Sequence, residues 1–413
     1  MAGVTAKPTV IVGVTGGIAA YKSLEVIRLL SEAGIDVHVI PTLSALRFVG
    51  EASFAALSGN PVHTDIWADT HDVPHVTLAR KADAMVVVPA TADFMARATH
   101  GRADDLLTAT LLTATCPVIF APAMHTEMWN NYATVDNVAT LRRRGIVVLE
   151  PATGRLTGPD TGKGRLPDPS QIAIAVTTVL ETGKNTPDMA DKHVVVTAGG
   201  TREPIDPVRY IGNRSSGLQG YALASVAAAR GARVTLISAN VSLPDPAGVD
   251  VVHVSSALDM QKTLNEVAHS ADAIIMTAAV ADFRPVHASD TKLKKSGNAT
   301  PKIELELNPD LLKSLVASRT KADQVIVGFA AETGDANSTP VEFATKKLAD
   351  KGCDILVMND VSEGRAFGRP DNAVTIFQLD EKPFEVPTAS KAKIAVTVCD
   401  VVISRWLRTS PRS

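Results

Sequence analysis

The amino-acid sequence predicts an α/β protein of two domains, each built on a doubly wound, mostly parallel sheet of the Rossmann-like type. Its 413 residues exceed the size at which one hydrophobic core keeps growing. Short β-branched runs alternate with helical periodicity, and a polar segment lies near the middle. Ligands bind such sheets beyond the carboxyl ends of the strands, so the informative residues should directly follow strands.

In the N-terminal half, strands are predicted where β-branched and other apolar residues form short runs. Helices are predicted over Ala20–Ala33 and Asp104–Thr113, where apolar residues recur at helical spacing. The predicted strands are Thr9–Val12, Asp36–Ile40, Ala84–Val88, Val118–Phe120 and Ile146–Leu149.

The alternation resumes after the segment ETGKNTPDMAD, whose composition is typical of an exposed connection. We therefore predict domains over residues 1–180 and 192–413, joined by a linker over 181–191. The second domain has predicted helices at Leu218–Arg230, Ala257–Ala268 and Val341–Lys351, and strands at His193–Thr197, Arg233–Ile237, Val249–Val254, Ala273–Thr277, Gln324–Gly328 and Asp354–Met358.

The composition indicates a folded protein that binds small molecules. A net charge of −3, spread along the chain, predicts no polybasic surface for nucleic acid or a membrane. The three cysteines are too few for a disulfide framework or a zinc knuckle, and we expect Cys353 and Cys399 in the core. The chain starts without a signal-peptide pattern and has no long apolar run, so we expect a cytoplasmic protein.

A turn of small residues, Gly13–Ala20, follows the first strand and opens a helix. Such a turn presents backbone N–H groups to an anion, usually a phosphate. Because glycine equally permits tight strand–helix packing, the turn alone leaves both interpretations open. Further candidate segments follow the next three strands, at Pro41–Thr42, Pro89–Asp93 and Ala121–Trp129.

With these segments, residues 8–180 resemble the homo-oligomeric flavin-containing cysteine decarboxylase family. The resemblance rests on TGGIAAYK, PATAD, GRADDLL and PAMHTEMW, the last similar to the family's PxMNxxMW motif. It implies a flavodoxin-like domain with FMN as its cofactor. The residues implied in the flavin pocket are Gly16, Gly17, Ile18, Thr42, Phe48 and Thr91.

The resemblance also implies two catalytic histidines. His75, in a Pro-His-Val-Thr-Leu context, matches the family's active-site histidine, although a single histidine is often only structural. His125 occupies the position of the motif's asparagine, which binds the substrate carboxylate, and its ring can also donate a hydrogen bond.

The segment Gly154–Leu166 resembles the family's mobile flap, but Gly158 occupies the position of its proton-donating cysteine. In that family the flavin oxidises the thiol carbon, CO2 is lost, and the enethiol then takes up a hydride and a proton. Thr157, His125, another residue or a water could supply that proton. Without a donor, the domain would stop at the enethiol, and a non-catalytic regulatory role is a further alternative.

In the C-terminal half, the strand His193–Thr197 leads into a glycine- and serine-containing segment, Ala198–Gly217, that opens a helix. This pattern again indicates an anion site. A nicotinamide oxidoreductase would carry GxGxxG and an acidic residue about 20 positions later, and neither half does so convincingly. The insertion with Arg202, Arg209, Asn213 and Arg214 is also unusual for a dinucleotide loop.

Residues 192–380 are similar to the phosphopantothenate-cysteine ligases. The resemblance rests on GGTREPIDPVRYIGNRSSG and, in order, AAVADF, KLKK, NPD, GFAAET and NDV. It implies that the carboxylate of 4'-phosphopantothenate attacks the α-phosphate of a nucleoside triphosphate, CTP in the bacterial enzymes. Cysteine then displaces the nucleotide, and Mg²⁺ is expected beside the phosphates.

The ligase resemblance implies that Lys292 supports the first step and that Asn213 binds the acyl intermediate. Taken alone, Lys292–Lys295 fits a solvated loop, Asn213 fits a turn, and two lysines four residues apart fit an exposed helix face. The residues implied in nucleotide binding are Met276, Thr277, Ala278, Asp282, Lys292, Pro309, Asp310, Leu311, Leu312, Phe329, Lys347 and Lys351.

Together the two resemblances imply consecutive enzymes of coenzyme A synthesis. The implied partners are the small molecules 4'-phosphopantothenate, cysteine and CTP. Because the first family forms trimers and the second dimers, a large symmetric homo-oligomer such as a dodecamer is implied. No direct metal ligands are predicted.

Overall fold

The computed structural model describes residues 7–67, 73–156, 160–182, 188–246, 248–294, 302–332, 340–360, 371–379 and 381–409. They divide into two compact units, Met1–Ala190 with Ala229–Gly231, and Asp191–Ala228 with Ala232–Ser413. Each unit has its own sheet.

The first unit alternates strands and helices along most of its length. Its strands are β1 (Thr9–Val14), β2 (Asp36–Pro41), β3 (Ala84–Ala90), β4 (Val118–Pro122), β5 (Val147–Val148), β6 (Ala152–Arg155) and β7 (Thr161–Arg165). Its helices are α1 (Ser23–Glu32), α2 (Glu51–Ser58), α3 (Pro74–Lys81), α4 (Ala92–Thr99), α5 (Leu106–Thr113), α6 (Thr126–Trp129), α7 (Tyr132–Arg143) and α8 (Pro169–Thr182).

Strands β1 to β5 form a parallel sheet in the order β2-β1-β3-β4-β5. Every residue of β3 is buried, as expected for a parallel strand covered by helices on both faces. In this strand order, the carboxyl ends of β1, β3 and β4 are neighbours. The loops after these three strands therefore meet at one edge of the sheet.

The structure contains helices of this unit that were not predicted, and it also differs from the predicted elements in other ways. The helix expected over Ala20–Ala33 is divided into a 3-10 helix, Ile18–Lys22, and α1. Strand β5 has only two residues. The antiparallel hairpin of β6 and β7 was not predicted, because its glycine-rich strands lack apolar alternation.

The second unit contains a larger sheet and two small ones. Its strands are β8 (His193–Gly199), β9 (Arg202–Pro204), β10 (Tyr210–Gly212), β11 (Arg233–Ala239), β12 (Val249–Val254), β13 (Ala273–Met276), β14 (Phe283–Pro285), β15 (Leu305–Leu307), β16 (Val325–Glu332), β17 (Ile355–Asp360), β18 (Asp371–Gln378) and β19 (Phe384–Ser390). Its helices are α9 (Leu218–Ala229), α10 (Ala257–Val267), α11 (Leu311–Ala317), α12 (Pro340–Lys351) and α13 (Lys391–Thr409).

The larger sheet has the order β12-β11-β8-β13-β16-β17-β18-β19. Its strands are parallel from β12 to β17, whereas β18 and β19 add an antiparallel edge. The small sheets pair β9 with β10 and β14 with β15. The predicted fold class, two α/β units with mostly parallel sheets, is confirmed, and the antiparallel edge is an addition to it.

Both cysteines expected in the core are there. Cys353 and Cys399 are fully buried in the second unit, and burial raises the pKa of the Cys353 thiol to about 11. Within the described ranges, no helix combines the length and apolar character needed to cross a bilayer.

Candidate functional sites

A threonine joins the two loops that follow β1 and β3. The Thr15 hydroxyl donates to the Pro89 carbonyl at 2.7 Å and accepts from the Thr91 amide at 3.2 Å. Thr91 in turn caps the N-terminus of α4 through the Phe94 amide. Sequence reasoning did not single out Thr15; the available signal was a hydroxyl residue in the turn after the first strand.

The loop after β2 packs against the same turn. The Thr42 amide donates to the Val14 carbonyl at 2.9 Å, and the Thr42 hydroxyl accepts from Ala45. A Cβ at Gly16 would overlap Ser44, so close packing requires glycine there. Of the flavin residues implied by the sequence, Gly16, Gly17, Ile18, Thr42 and Thr91 thus belong to loops at this one edge.

This edge fits an anion carrying an apolar group. Within the described residues, the amides of Gly16, Gly17 and Ile18 donate no hydrogen bond, and the 3-10 helix they open has no side-chain cap. Ile18 is 66% exposed and Phe48 50% exposed. Free amides suit a phosphate, and exposed apolar side chains suit a flat ring system.

The His125 segment follows β4 and lies against β7. The Met124 amide donates to the Gly164 carbonyl at 2.9 Å. A Cβ at Gly164 would overlap the Met124 carbonyl oxygen, and a Cβ at Gly162 would overlap the Thr126 hydroxyl. The glycines of β7 therefore allow the hairpin backbone to lie directly on the residues that flank His125.

Two ion pairs hold this hairpin. The Glu150 carboxylate lies 2.6 Å from the Arg142 guanidinium and 2.7 Å from the Lys163 ammonium, on β7. Burial would raise the pKa of Glu150, but hydrogen bonds from Lys163 and Arg142 outweigh it and lower that pKa. The expected flap position Gly158, and Thr157 beside it, lie outside the described residues.

His75 lies in the first turn of α3. Its carbonyl accepts from the Thr113 hydroxyl at 3.2 Å, and among the described residues its buried Nδ1 atom has no hydrogen-bond partner. Within the described residues of this one chain, no hydrogen bond joins His75 to the Gly16–Gly17 turn or to His125.

In the second unit, the turn after β8 is held by backbone hydrogen bonds. The Gly200 amide donates to Ala239, Ala279 donates to Gly199 at 2.8 Å, and Thr201 donates to Ala279. Gly199 has a φ of +84°, and a Cβ there would overlap the Ala239 carbonyl oxygen. Glycine is therefore required by both the backbone conformation and the close approach of two loops.

The implied nucleotide residues Met276, Thr277 and Ala278 lie at the end of β13, beside this turn. The Thr197 hydroxyl accepts from the Ala278 amide at 3.1 Å. Met276 is only 6% exposed, so its side chain belongs to the core.

Asn213 is bound to the loop after β13. Its side-chain amide donates to the Val280 carbonyl at 3.0 Å. The Asn308 side chain donates to Ala281, and its backbone amide donates to the Asp282 carbonyl, both at 2.8 Å. The structure therefore brings Asn213, Asp282 and the segment that precedes Pro309 together.

Asp310 and Lys351 form an ion pair at 2.5 Å. Asp310 also caps α11 through the Lys313 amide. Burial would raise the pKa of Asp310, but its hydrogen bond from Lys351 outweighs burial and lowers the pKa. Lys347 lies one helical turn before Lys351 on α12.

The remaining nucleotide residues lie nearby in the chain. Leu311 is buried and Leu312 packs against the core, whereas Phe329 is half-buried in β16. The described part of the Lys292 segment ends at Lys294, and Lys292 itself is exposed. Motif residues Lys295, Thr333 and Val361 lie outside the described ranges.

A cavity of about 550 Å³ adjoins the Gly200 turn. The Arg202 guanidinium lines it and lies 4.6 Å from the centre of the Tyr210 ring. Helix α9 begins immediately after this lining, and arginines, hydroxyls and a helix N-terminus together suit phosphates. The other lining residues include Asn213, Arg214, Ser215 and Ser216.

Comparisons with protein families divide the chain into two parts. Residues 3–181 match the family described as Flavoprotein, and residues 189–405 match the family described as DNA/pantothenate metabolism flavoprotein C-terminal domain. The coenzyme A biosynthesis bifunctional protein CoaBC of Mycobacterium tuberculosis (strain ATCC 25618 / H37Rv) is 57% identical over 401 residues, 96% of each chain. That of Bacillus subtilis (strain 168) is 41% identical over 408 residues, 98% of each chain.

The chain belongs to the CoaBC family of bifunctional coenzyme A biosynthesis proteins. As a CoaBC protein, it is a bifunctional enzyme, a phosphopantothenoylcysteine decarboxylase and a phosphopantothenate-cysteine ligase. The decarboxylase is the flavoprotein domain. The function predicted from the sequence is therefore confirmed.

Solved structures of similar chains cover each CoaBC part separately. The C-terminal domain of a coenzyme A biosynthesis bifunctional protein CoaBC is 35% identical, with a TM-score of 0.46, and covers 54% of this chain and 100% of its own. A PPC decarboxylase mutant complexed with pantothenoylaminoethenethiol is 32% identical, with a TM-score of 0.39, and covers 42% and 97%.

Sequence reasoning missed Asp206, and it noted Arg209 only as an unusual residue of the insertion. The Asp206 carboxylate and the Arg209 guanidinium hold the backbone of Leu293, next to Lys292. Arg209 and Asp206 precede Leu293 by 84 and 87 residues, so no local sequence pattern links them to it. The signal available was the unusual length of the insertion between Gly200 and Gly217.

Proposed function

We propose that the second unit joins 4'-phosphopantothenate to cysteine with CTP and Mg²⁺, and that the first unit decarboxylates the product with FMN to 4'-phosphopantetheine. The observation that carries the ligase proposal is the convergence of Asn213, the loop after β13 and the Asn308–Asp310 segment beside the Gly200 turn. This convergence supports the ligase proposal because an amide side chain near groups suited to anions could hold an acyl group.

In the ligation, Lys292 would stabilise the charge that develops as the substrate carboxylate attacks the α-phosphate. The N-terminus of α9 and the neighbouring arginines would bind phosphates. Lys347 and Lys351 would bind further phosphate oxygens, for which Lys351 must exchange its pair with Asp310. Asn213 would then hold the acyl intermediate while the cysteine amine attacks it.

The nucleotide would lie along Met276–Ala278, Asp282, Pro309–Leu312 and Phe329. Mg²⁺ usually keeps several waters and binds substrate phosphates with one or two carboxylates. The described residues include no group of three or more potential metal-binding side chains. The ion would therefore be held chiefly by the triphosphate.

In the decarboxylation, the amides of Gly16, Gly17 and Ile18 would bind the FMN phosphate, and Thr42, Phe48 and Thr91 would line the pocket. Bound FMN supplies the oxidation of the substrate's thiol carbon and the return of the hydride. His75 would position the carboxylate that is lost, and His125 would donate a hydrogen bond to the substrate. Because glycine at 158 offers no proton, His125, Thr157, another group or a water must supply the last one.

We further propose that residues 1–180 and 192–413 act as separate catalytic domains joined by the linker 181–191. Trimeric contacts of the first and dimeric contacts of the second would form a homo-oligomer such as a dodecamer. We expect this assembly in the cytoplasm, where its small-molecule substrates are.

Mass analysis of the products from 4'-phosphopantothenate, cysteine, CTP and Mg²⁺ tests both halves of the proposal. The expected outcome is pyrophosphate, CO2 and 4'-phosphopantetheine from a yellow protein with flavin absorbance. Asn213→Asp should accumulate the acyl-nucleotide. A colourless protein that releases no pyrophosphate would contradict the proposal, and accumulation of the enethiol would show that the proton donor is absent.

A further inference from the structure

The side chain of Asp206 is inaccessible to solvent although it carries a carboxylate. It lies in the connection between β9 and β10, where it accepts hydrogen bonds from the amides of Val208 and Arg209, both at 2.8 Å. The Leu293 amide donates a third hydrogen bond, at 3.2 Å, from 87 residues further along the chain. A buried charge persists only when hydrogen bonds replace its water, and these three amides do so.

The third hydrogen bond has no role in the β9–β10 connection itself. Two amides are enough for a carboxylate that closes a turn on its own backbone. The Leu293 amide belongs to the segment that carries Lys292, and the Leu293 carbonyl accepts from the Arg209 guanidinium at 2.6 Å. Arg209 is itself paired with Asp206 at 3.1 Å. Both backbone groups of Leu293 are thus fixed by the same two side chains.

A further backbone hydrogen bond joins the same two segments of the chain. The Ser289 amide donates to the Ile205 carbonyl at 2.9 Å. The segment 289–293 therefore runs beside residues 205–209 and is fixed at both ends. The exposed Lys292 side chain projects from the part of the segment next to the Leu293 anchor.

We infer that Asp206 is a positioning residue for the ligation, which holds the Lys292 segment against the β9–β10 connection and acts through Lys292. This inference rests on the proposed role of Lys292 in the first step. A lysine at the end of a loosely held loop would sample many positions, and misplacement by about 1 Å can cost a hundredfold in rate. Asp206 restricts that freedom without contacting the nucleotide.

The carboxylate is needed as an acceptor at both oxygens. One oxygen accepts from Val208 and Arg209, and the other accepts from Leu293. Burial would raise the pKa of Asp206, but the three amides outweigh it and keep that pKa below its ordinary value. In Asp206→Asn, an amide NH2 group must face one of these N–H donors, so the variant loses an anchor while keeping the side-chain shape.

A double-mutant cycle on the full-length holoenzyme tests the inference. The variants are Asp206→Asn, Lys292→Met and the two together, with CTP-dependent pyrophosphate release as the readout. Asp206→Asn should lower kcat for this step by about 10- to 100-fold, the scale of a lost hydrogen bond to a charged group. In the Lys292→Met background it should cause no further loss, because it acts through the missing lysine.

Two controls separate positioning from folding. Asp290→Asn removes an exposed carboxylate from the same segment and should leave pyrophosphate release unchanged. Urea unfolding of the second unit, measured in the same samples, should show that every variant is fully folded under the assay conditions. Decarboxylation belongs to the other unit and would not report on this one.

The cycle distinguishes failure of the inference from failure of the proposed function. If Lys292→Met releases pyrophosphate at the wild-type rate, the proposed role of Lys292 is wrong, and the inference falls with it. If Lys292→Met is impaired while Asp206→Asn is not, only the inference is overturned. It is also overturned if the losses of the two variants multiply, since Asp206 would then act independently of Lys292.

Discussion

The turns after β1 and after β8 occupy the same position in their sheets, yet their glycines serve different purposes. A Cβ at Gly17 would have only ordinary contacts, the nearest being the Thr91 methyl group at 3.5 Å. A Cβ at Gly199 or Gly200 would overlap backbone carbonyl oxygens of the protein itself, those of Ala239 and Asn213. The first turn leaves space above its second glycine, whereas the second turn is filled by its own chain.

This difference teaches that two glycines after a strand do not identify a phosphate site by themselves. In the first unit, the amides of Gly16, Gly17 and Ile18 donate no hydrogen bond to any described residue. In the second unit, the turn amides are used within the protein, and the groups suited to phosphates lie beyond it, where Ser215 and Ser216 precede α9. The same sequence pattern thus leaves backbone amides unbonded in one unit and packs them within the protein in the other.

The largest expected effect comes from Gly199→Ala. Alanine would there adopt a left-handed backbone conformation, and its Cβ would overlap a carbonyl oxygen. Both effects together should destabilise the second unit by about 2–4 kcal/mol. Urea unfolding would measure this loss, with ligase activity falling while decarboxylase activity and flavin absorbance remain. An unchanged free energy of unfolding would show that the turn is not packed as described.

Gly17→Ala should instead weaken ligand binding and leave the stability of the protein unchanged. The backbone there is extended, with φ of −160°, so alanine is tolerated, but its methyl group would enter the space proposed for the flavin phosphate. We expect normal stability and a loss of about 1–3 kcal/mol in FMN binding, the usual scale of overpacking.

Fluorescence titration of the flavin-free protein with FMN would measure this loss. Gly50→Ala is the matched control, because nothing lies within 4 Å of its Cβ position. Equal FMN affinity in the Gly17 and Gly50 variants would argue that the first turn, like the second, is a packing feature.

The two units also differ in the contacts that fix the segments beside their candidate sites. The hairpin beside His125 depends on the partly exposed Lys163–Glu150 pair, whereas the Lys292 segment depends on a buried carboxylate. Lys163→Met should therefore raise KM for decarboxylation only about 2- to 5-fold, the scale of a surface ion pair. Steady-state kinetics would measure this, with Arg143→Met on α7 as the control, and a 100-fold loss would mean that Lys163 contacts the substrate.

The smallest expected effect concerns the second unit, in the way its free energy of unfolding depends on pH. His193 is buried between the hydroxyls of Ser270 and Thr235, each at 3.0 Å, and burial lowers its pKa. The unfolded chain therefore binds the proton more readily. Neutral His193 therefore stabilises the folded second unit fully above the ordinary pKa of 6.5. This stabilisation is lost as the pH falls from 6.5 through the lowered pKa.

Urea unfolding of the second unit at pH 7.5 and pH 5.5 would measure this effect. His193→Gln removes the titrating ring, so its free energy of unfolding should change less between the two pH values than that of the wild type. An identical pH dependence in both proteins would contradict a buried, neutral His193.

The parallel part of both sheets could be predicted from local sequence. Runs such as those at Val194–Val196 and Val86–Val88 are apolar because parallel strands are buried on both faces. The strands β18 and β19 were missed, although they pair over most of their length. Strand β19 buries only Val386 among its seven residues, and such a sequence does not by itself tell an edge strand from a loop.

From the sequence, the position of a site residue could be predicted only where its motif directly follows a strand. His125 directly follows β4, whereas Asn213 lies near the end of β13 because β13 neighbours β8 in the sheet, which chain order does not reveal. The link from Asp206 to Leu293 spans 87 residues and depends on the fold of two loops. The surroundings of His75 likewise depend on where α3 packs, and no local pattern states that.

In the proposed scheme, two independent sites act in sequence, and the product of the second unit is the substrate of the first. Product analysis of His75→Asn with 4'-phosphopantothenate, cysteine, CTP and Mg²⁺ tests it most directly. We predict pyrophosphate release at the wild-type rate and accumulation of phosphopantothenoylcysteine without CO2. Loss of pyrophosphate release and of CO2 to the same extent would contradict the assignment of the two reactions to separate sites.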